Sequence, residues 1–456
     1  MRLNLFALAV CLASHTAFAQ PVDTIARIDK IFSSWNNATP GASILVARGT
    51  TILYHKAFGL ADLERNVPNT TETIFEAGSV SKQFTAYSIL LLQNEGKLSV
   101  SDDVRKYIPE LPVYEAPITI QHLLNHTSGL KDWGSVGAIG GWGRGTRIYT
   151  LKIALDIIFR QKTTNFKPGD QYSYSNSNYS LLVEIVQRVS KQSLEDFTNE
   201  RLFKPLGMTS TRWRSNFRDI VQNRAEAYSK TYNGYRHEMP FEHVHGHGGL
   251  LTTTGDLLKW NQLLEKHDAV YNVRIQKGKL NNGSEITYAA GIQHGNVNGT
   301  AEIAHSGATA GYRAWLAYYP SKKITVTLLS NDGSAAPVGL GKQVAEVYLG
   351  KKPEVFNPVD VEPRHPFYYT PKEFSTFAGE YYSDEAQCTI KIIFRDNLLL
   401  WIDETLEDAD LEPATTKDSF GVDGATIDFK KNKKGAIGGF NLSVSRATNV
   451  PFKKVK

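Results

Sequence analysis

Apolar residues recur at Ile25, Ile28, Phe32 and Trp35, one face of a helix, and predict an amphipathic helix within residues 21–37. The period then changes. Residues 41–48 and 51–58 read as two strands around a tight Gly49-Thr50 turn, a β-hairpin. A long apolar helical run opens at Phe75-Glu-Ala-Gly-Ser-Val-Ser-Lys82, carries Phe84, Ile89, Leu91 and Leu92, and stops near Gly96. From about 97 to 245 the pattern is helical and loop-rich, with helices predicted at 118–124, 147–160, 179–189 and 193–202 and a break at Pro205-Leu-Gly-Met208. Another helix is predicted to start near Thr254, ahead of Leu257, Leu258 and Trp260. Strands return at 288–294, 301–305, 312–319 and 324–330, and a helix near 335–349 follows. Strands thus bracket a helical middle, which predicts an α/β (α+β) domain: an antiparallel sheet flanked by helices, with a helical insertion.

Prolines 353, 358, 363, 366 and 371 then crowd one stretch, read as a linker over 351–372. Beyond it, short turn-separated strands at 377–382, 388–395, 398–403, 419–422, 425–430 and 438–446 predict a small all-β, barrel-like module over 373–456. The basic end, Lys453-Lys454-Val455-Lys456, reads as a solvated tail. A chain of 456 residues is too long for one ordinary core, which agrees with two domains.

Charge and cysteine content narrow the classes. The formal net charge is +5, with no clustered Lys/Arg stripe interleaved with aromatics, so no nucleic-acid partner is expected. Residues 1–19 have the form of a secretory signal: Arg2, an apolar stretch from Leu3 to Ala13, and Ala17-Phe-Ala19 before Gln20. That stretch is too short to span a bilayer. The expectation is a periplasmic or secreted protein, with residues 20–350 as its main domain and no integral membrane segment after signal removal. Cys11 leaves with the signal, so Cys388 stands alone and no intramolecular disulfide is possible.

The chemistry centres on Ser79 and Lys82. A Ser–x–x–Lys pair at a helix start puts hydroxyl and amine one turn apart on one face. A serine hydroxyl is a poor nucleophile until a base takes its proton. A lysine serves as that base only if desolvation or nearby positive charge lowers its pKa. The helix N-terminus adds partial positive charge where an oxyanion develops. A second match, Ser128-Gly-Leu-Lys131, contains Gly129, follows Asn125-His-Thr and reads as a turn.

A Ser–Lys hydrolase further needs a second proton-handling group, oxyanion donors and a substrate-binding edge strand. Tyr174 is the candidate to share a proton with Lys82 and pass it to the leaving group. Asn176 is the candidate to orient Lys82 and bind a substrate carbonyl. His305-Ser-Gly307-Ala308 ends a strand, where glycine lets a substrate lie close to the backbone. The backbone N–H groups of Ser79 and Ala308 are the candidate oxyanion hole. The Gly- and Trp-rich segment 131–148 is expected to shape the pocket. His243, His245 and His247 alternate as three ligands on one strand face would, but Gly246 and Gly248-Gly249 favour a loop, so no metal and no cofactor are expected.

The ordered set Ser79-Val-Ser-Lys82, Gly96 to Asp103 with Tyr107-Ile-Pro109, His122 to Gly129, Tyr174-Ser-Asn176 with Tyr179, Pro205 to Met208, Gly248-Gly-Leu250 with Asp256, and His305-Ser-Gly307 resembles the serine β-lactamase and penicillin-binding-protein-like superfamily. The likeness is to its class C-like branch of β-lactamase-related esterases and D-aminopeptidases, and it spans most of residues 20–350. The C-terminal module resembles the lipocalin-like domain appended to some of these hydrolases. The resemblance implies a β-lactamase/transpeptidase-like fold, Ser79 as nucleophile, Lys82 as base partner, Tyr174 as the catalytic tyrosine, Asn176 as the substrate-contacting asparagine and acyl transfer as the reaction. Penicillin-recognising members usually carry Lys-Thr-Gly where this chain has His305-Ser-Gly307. The resemblance therefore implies weaker carboxylate recognition, poor β-lactam turnover and a small ester, amide or peptide substrate. Two rivals remain: a β-lactamase or D,D-peptidase, and a slowly deacylating binding or sensor protein.

Overall fold

The computed structural model describes residues 22–143, 147–240, 242–350, 367–402, 409–422 and 424–455. The signal segment 1–19 and most of the linker 351–372 lie outside the described residues.

Helix α1 (Val22–Ile31) leads into the hairpin β1 (Ala42–Arg48) and β2 (Thr51–Phe58). The helical middle contributes α2 (Lys82–Asn94), α3 (Ile120–Leu124), α4 (Trp133–Ile139), α5 (Leu151–Arg160), α6 (Asn176–Ser190) and α7 (Thr254–Asn261). Strands β3 (Gln293–Val297), β4 (Thr300–Thr309), β5 (Tyr312–Tyr319) and β6 (Ile324–Ser330) follow, and α8 (Pro337–Leu349) ends this part. The six strands form one antiparallel sheet in the order β3-β4-β5-β6-β1-β2. Its centre is the β6–β1 pair, in register from Ala42↔Ser330 to Arg48↔Ile324. Every residue of β6 is buried, as its apolar run requires of a strand covered on both faces.

Two-residue alternation sorts β1 between the sheet's faces. Ala42, Ile44 and Val46 pack with Ile28 and Phe32 on the α1 side and Val344 and Ala345 of α8. Leu45 and Ala47 meet Leu258 of α7 on the other face. Helix α2 is buried at nearly every position from Lys82 to Leu92, as suits a central helix that is covered all round.

Several boundaries differ from expectation. Ser79 sits in a 3₁₀ turn, Gly78–Ser81, and the α-helix proper begins at Lys82. The strand expected at 288–294 starts only at Gln293, because Gly291 takes φ +74° against the backbone of Gln83. Segment 131–148 contains helix α4, capped by Asp132, whose side chain accepts from Ser135 N.

After helix α9 (Pro371–Phe377) come β7 (Gly379–Ser383), β8 (Cys388–Arg395), β9 (Leu398–Ile402), β10 (Ala409–Asp410), β11 (Glu412–Pro413), β12 (Ser419–Val422), β13 (Ala425–Lys431), β14 (Ile437–Val444) and β15 (Ala447–Lys454). They form one nine-stranded sheet in the order β10-β9-β8-β7-β15-β14-β13-β12-β11. Its edge strands β10 and β11 are separated only by Leu411, so the sheet is a nearly closed barrel. Phe377, Tyr381, Phe420, Phe429, Phe440 and Phe452 are all buried and stack through its interior. The basic tail is corrected here: Lys453 and Lys454 belong to β15 and pair with Tyr382 and Tyr381 of β7. The strand expected to run through Arg446 stops at Val444, and Ser445-Arg446 form the β14–β15 turn, with Ser445 at φ +51°.

Candidate active site

A short pairing of Phe75–Glu76 with Leu250–Thr252 delivers the nucleophile candidate, extended by Ala77 N donating to Leu250 O at 2.8 Å. The chain then enters the 3₁₀ turn and continues directly into α2. This local geometry puts Lys82 Nζ 3.2 Å from Ser79 Oγ, with Ser79 partly exposed and Lys82 fully buried. Lys82 Nζ also donates to Asn176 Oδ1 at 2.9 Å and to the His247 carbonyl at 2.7 Å. These three acceptors are neutral oxygens. As a neutral amine, Nζ can give its two hydrogens to Asn176 and His247 and turn its lone pair to the Ser79 hydroxyl. Asn176 is held in turn by Asp132, whose Oδ2 accepts from Asn176 N at 2.7 Å.

The Ser79 turn touches strand β4 because two glycines allow it. A Cβ at Gly78, which takes φ +49°, would lie 2.6 Å from Ala308 N. A Cβ at Gly307 would lie 2.0 Å from Ala77 O and 3.1 Å from Ser79 N. Side chains are excluded at both positions, so the Ser79 and Ala308 backbones are neighbours. Strand β3 pairs with β4 only from Val297↔Thr300 to Gln293↔Ala304. Beyond Ala304, the segment His305–Thr309 pairs only with β5 among the described strands, which leaves one edge facing the cleft.

The cleft has a volume of about 610 Å³ and is lined by Ser79, Tyr172, Tyr174, Asn176, Gln293, the β4 segment 305–309, Arg313 and Arg446, among others. Tyr174 lies with its ring 4.7 Å from Lys82 Nζ and 4.2 Å, between centroids, from the His126 ring. Burial pushes its phenol above its ordinary range, opposed by the Ser79 hydroxyl beside it and by the Arg446 charge. His305 Nδ1 lies 2.6 Å from the Ser306 carbonyl and Nε2 lies 2.9 Å from Tyr288 Oη. A carbonyl only accepts, so Nδ1 carries the hydrogen and Nε2 accepts from the tyrosine. Burial, helped by the Lys82 charge, lowers the His305 pKa to about 4, so this imidazole is neutral at physiological pH.

Every predicted site residue lines this cleft or, like Lys82, lies directly beneath it. The segment 131–148 does not line it: none of its described residues reaches the cleft, and Asp132 acts from beneath, accepting from Asn176 N and lying 3.9 Å from the Arg446 guanidinium. The expected loop at His243–His247 is present, and its histidines diverge. His245 Nε2 pairs with Glu195 at 3.1 Å, His243 packs on Phe217 and His247 packs on Trp133. Among the described residues no cluster of three or more His, Cys, Asp or Glu could hold a metal ion.

Two contributors carried no sequence signal strong enough to find them, and a third, His126, stood within the run His122 to Gly129 without a role assigned to it. The His247 carbonyl is backbone and has no residue-type signature. His126 is fully buried at φ +58°, with Nδ1 facing Ser175 N at 3.2 Å and Asn178 Nδ2 at 3.0 Å, and it props the Tyr174 ring. Arg446 comes from the barrel, and its guanidinium stands 5.3 Å from the Tyr174 ring centroid.

The chain matches the Beta-lactamase family over residues 21–348. It is 31% identical over 310 residues to penicillin-binding protein 4* of Bacillus subtilis (strain 168), covering 63% of this chain and 67% of the relative. It is 26% identical over 315 residues to D-aminopeptidase of Gluconobacter oxydans (strain 621H), covering 68% of this chain and 59% of the relative. The chain thus spans about three fifths to two thirds of these relatives' own length. Among solved structures, the octameric penicillin-binding protein homologue from Pyrococcus abyssi superposes with a TM-score of 0.63 at 23% identity, over 95% of this chain and 99% of that one. The D-stereospecific amidohydrolase from Streptomyces sp. gives 0.61 at 20% identity, over 72% and 99%. At these identities the structural likeness speaks to fold. The first of them takes in the C-terminal sheet as well as the main domain.

Proposed function

The chain belongs to the Beta-lactamase family of serine hydrolases, and from that premise we propose that it cleaves a small ester, amide or peptide bond through an acyl-enzyme on Ser79. The observation that carries this reading is the buried Lys82 amine, hydrogen-bonded to Asn176, His247 and the Ser79 hydroxyl at once. In the first half-reaction Lys82 accepts the Ser79 proton as Oγ bonds to the substrate carbonyl carbon. The resulting oxyanion takes hydrogen bonds from the Ser79 and Ala308 N–H groups. The bond to the leaving group then breaks, and that group departs with the proton, relayed through Lys82 and Tyr174. Water adds to the acyl-enzyme in the second half, gives its proton to the same pair and releases the acid, restoring Ser79. The cleft edge at His305–Thr309 is suited to hold an extended substrate by backbone hydrogen bonds, with Gly307 admitting close approach.

We propose further that residues 1–19 are removed on export and that the protein works in the periplasm or outside the cell. Among the described residues no helix is long and apolar enough to cross a membrane. A mature N-terminus at Gln20, read by mass spectrometry of protein recovered from the extracytoplasmic fraction, is the expected result. The uncharged His305 supports esters and amides over β-lactams as substrates. The penicillin-binding relative favours a second reading, in which Ser79 is acylated and released slowly.

The test exposes the mature protein and Ser79→Ala to a penicillin, a chromogenic short-chain ester, and D- and L-amino-acid anilides, following product and intact mass together. Product from wild type alone supports the hydrolase. A stable wild-type adduct without product supports the second reading. Identical behaviour of the two proteins overturns Ser79 as nucleophile.

A further inference from the structure

Lys82 is aimed at Ser79 by two further acceptors, Asn176 Oδ1 and the His247 carbonyl. Both rest on one short segment at the start of α4. Asp132 Oδ2 accepts from Asn176 N at 2.7 Å, and Oδ1 accepts from Ser135 N at 3.0 Å. Ser175, the residue before α6, makes no side-chain cap, so the Asp132 carboxylate caps that helix from outside it. Beside it, Ser177 Oγ donates to the Lys131 carbonyl at 2.6 Å and accepts from Trp133 N at 2.9 Å. The buried Trp133 ring meets the His247 ring at 5.5 Å between centroids.

The barrel holds the same segment from the other side. The Arg446 carbonyl accepts from Asp132 N and from Asn165 Nδ2, each at 3.2 Å. Asn165 Oδ1 accepts from both N and Oγ1 of Thr448 at 2.9 Å, which fixes the β14–β15 turn. Lys131 Nζ pairs with Glu385 Oε2 at 3.2 Å, with both side chains essentially fully buried. At the far end of α4, Cys388 Sγ donates to the Ile139 carbonyl at 3.5 Å, and a Cβ at Gly140 would lie 2.9 Å from Ala386 O. Helix α4 has only seven residues. A helix this short has little stability of its own, so the groups packed at its ends set its place.

We infer that Asp132 and Trp133 are positioning residues, and that the docked barrel, by holding them, sets the two acceptors that aim Lys82 at Ser79. The inference rests on the hydrolase reading above and deepens it: the barrel acts on the reaction through the base. Asp132 serves two backbone donors with two carboxylate oxygens, and an asparagine would offer only one.

The test uses the full-length protein and a fluorophosphonate, whose phosphorus bonds to Ser79 Oγ as fluoride leaves. Labelling rate is followed by intact mass, and hydrogen exchange is followed at the start of α6. Asn165→Ala and Glu385→Ala, singly and together, open the seam, and neither residue lines the cleft. Asp132→Ala should slow labelling by about 10²-fold, the cost of a base misplaced by about an ångström. Asp132→Asn should recover only part of that loss. The double seam variant should slow labelling by about tenfold or more and speed exchange at Asn176, whose N–H loses its fixed acceptor.

The pH profile of labelling in Asn165→Ala, which changes no charge, separates positioning from partial unfolding. Lys82 Nζ faces the Tyr174 and Tyr179 rings at 4.7 and 5.5 Å, and His126 and His305, which burial keeps neutral. Water admitted by a loosened segment favours the ammonium form, and labelling needs the amine, so the midpoint moves to higher pH. Partial unfolding lowers the labelled fraction and leaves the midpoint in place. Wild-type labelling that the seam variants leave unchanged in rate and midpoint overturns the inference and spares the hydrolase reading. Slower labelling at an unmoved midpoint, with wild-type exchange at α6, overturns it too. If Ser79 of the wild type takes no label, yet opening the seam speeds exchange at the start of α6, the coupling stands and the hydrolase reading falls. No label and no change in exchange overturns both.

Discussion

Lys82 and Lys131 each stand three residues after a serine, and each is buried, with 0% and 1% exposure. They face different partners. The chain from Ser79 winds through a 3₁₀ turn into α2, so hydroxyl and amine share a face and touch at 3.2 Å. After Ser128 the chain passes through Gly129 at φ +74°, where a Cβ would lie 2.2 Å from Phe166 O. Ser128 Oγ turns away to donate to Asn178 Oδ1, while Lys131 reaches the Thr163 carbonyl, Thr163 Oγ1 and Glu385 of the barrel. One lysine is hydrogen-bonded to neutral oxygens and a hydroxyl that it can deprotonate. The other neutralises a carboxylate and ties two domains together. The same spacing yields a candidate catalytic pair or a structural anchor according to whether the backbone between is helical.

The comparison breaks most sharply in activity. If Ser79 is the nucleophile, Ser79→Ala lowers turnover of the best substrate by about 10⁶-fold, to the detection floor. Lys82→Met costs about 10²- to 10⁴-fold or more, the range of a lost general base. Steady-state rates check both, and comparable losses in Ser128→Ala would erase the distinction.

The next effect is on stability. Lys131→Met strands Glu385 as a buried charge, and the expected cost is about 3–5 kcal/mol. It should appear in denaturant unfolding as an early transition of the barrel. Lys131→Met with Glu385→Leu should recover most of that loss, and a single variant as stable as wild type would show that the pair does not hold the dock.

A smaller effect comes from His305, which faces Lys82, Tyr174 and Tyr288. Its folded pKa of about 4 lies below the unfolded value of 6.5. The unfolded chain therefore binds the extra proton first, and stability falls as pH drops from about 6.5 to about 4. His305→Gln should flatten that slope by up to about 3 kcal/mol. Denaturation midpoints at several pH values measure it, and equal slopes would mean that His305 protonates freely in the fold.

The smallest expected change is Ser128→Ala. It leaves turnover intact and costs about 1–2 kcal/mol, from the lost hydrogen bond to Asn178.

What the chain carried on its surface, so to speak, was everything with a short repeat. The three-residue step from Ser79 to Lys82, the alternation of β1 and the apolar run of β6 follow from local periods of a helix turn and a pleat, so they were legible residue by residue. Gly307 was legible as a place of close backbone approach, but that its missing side chain and that of Gly78 let turn and strand touch was seen only in the fold. Asn176, Tyr174 and His305 were legible as an ordered set, although no one of them identified the cleft. Tertiary structure alone decided the rest. It brought the His247 carbonyl under Lys82, closed the barrel through β15, and set Arg446 over Tyr174. These contacts join segments far apart in the chain, where the energy of packing and hydrogen bonding, not any local backbone preference, selects the partner. An arginine that reaches across a domain seam leaves no period in its own neighbourhood, so its sequence reads as the end of a strand.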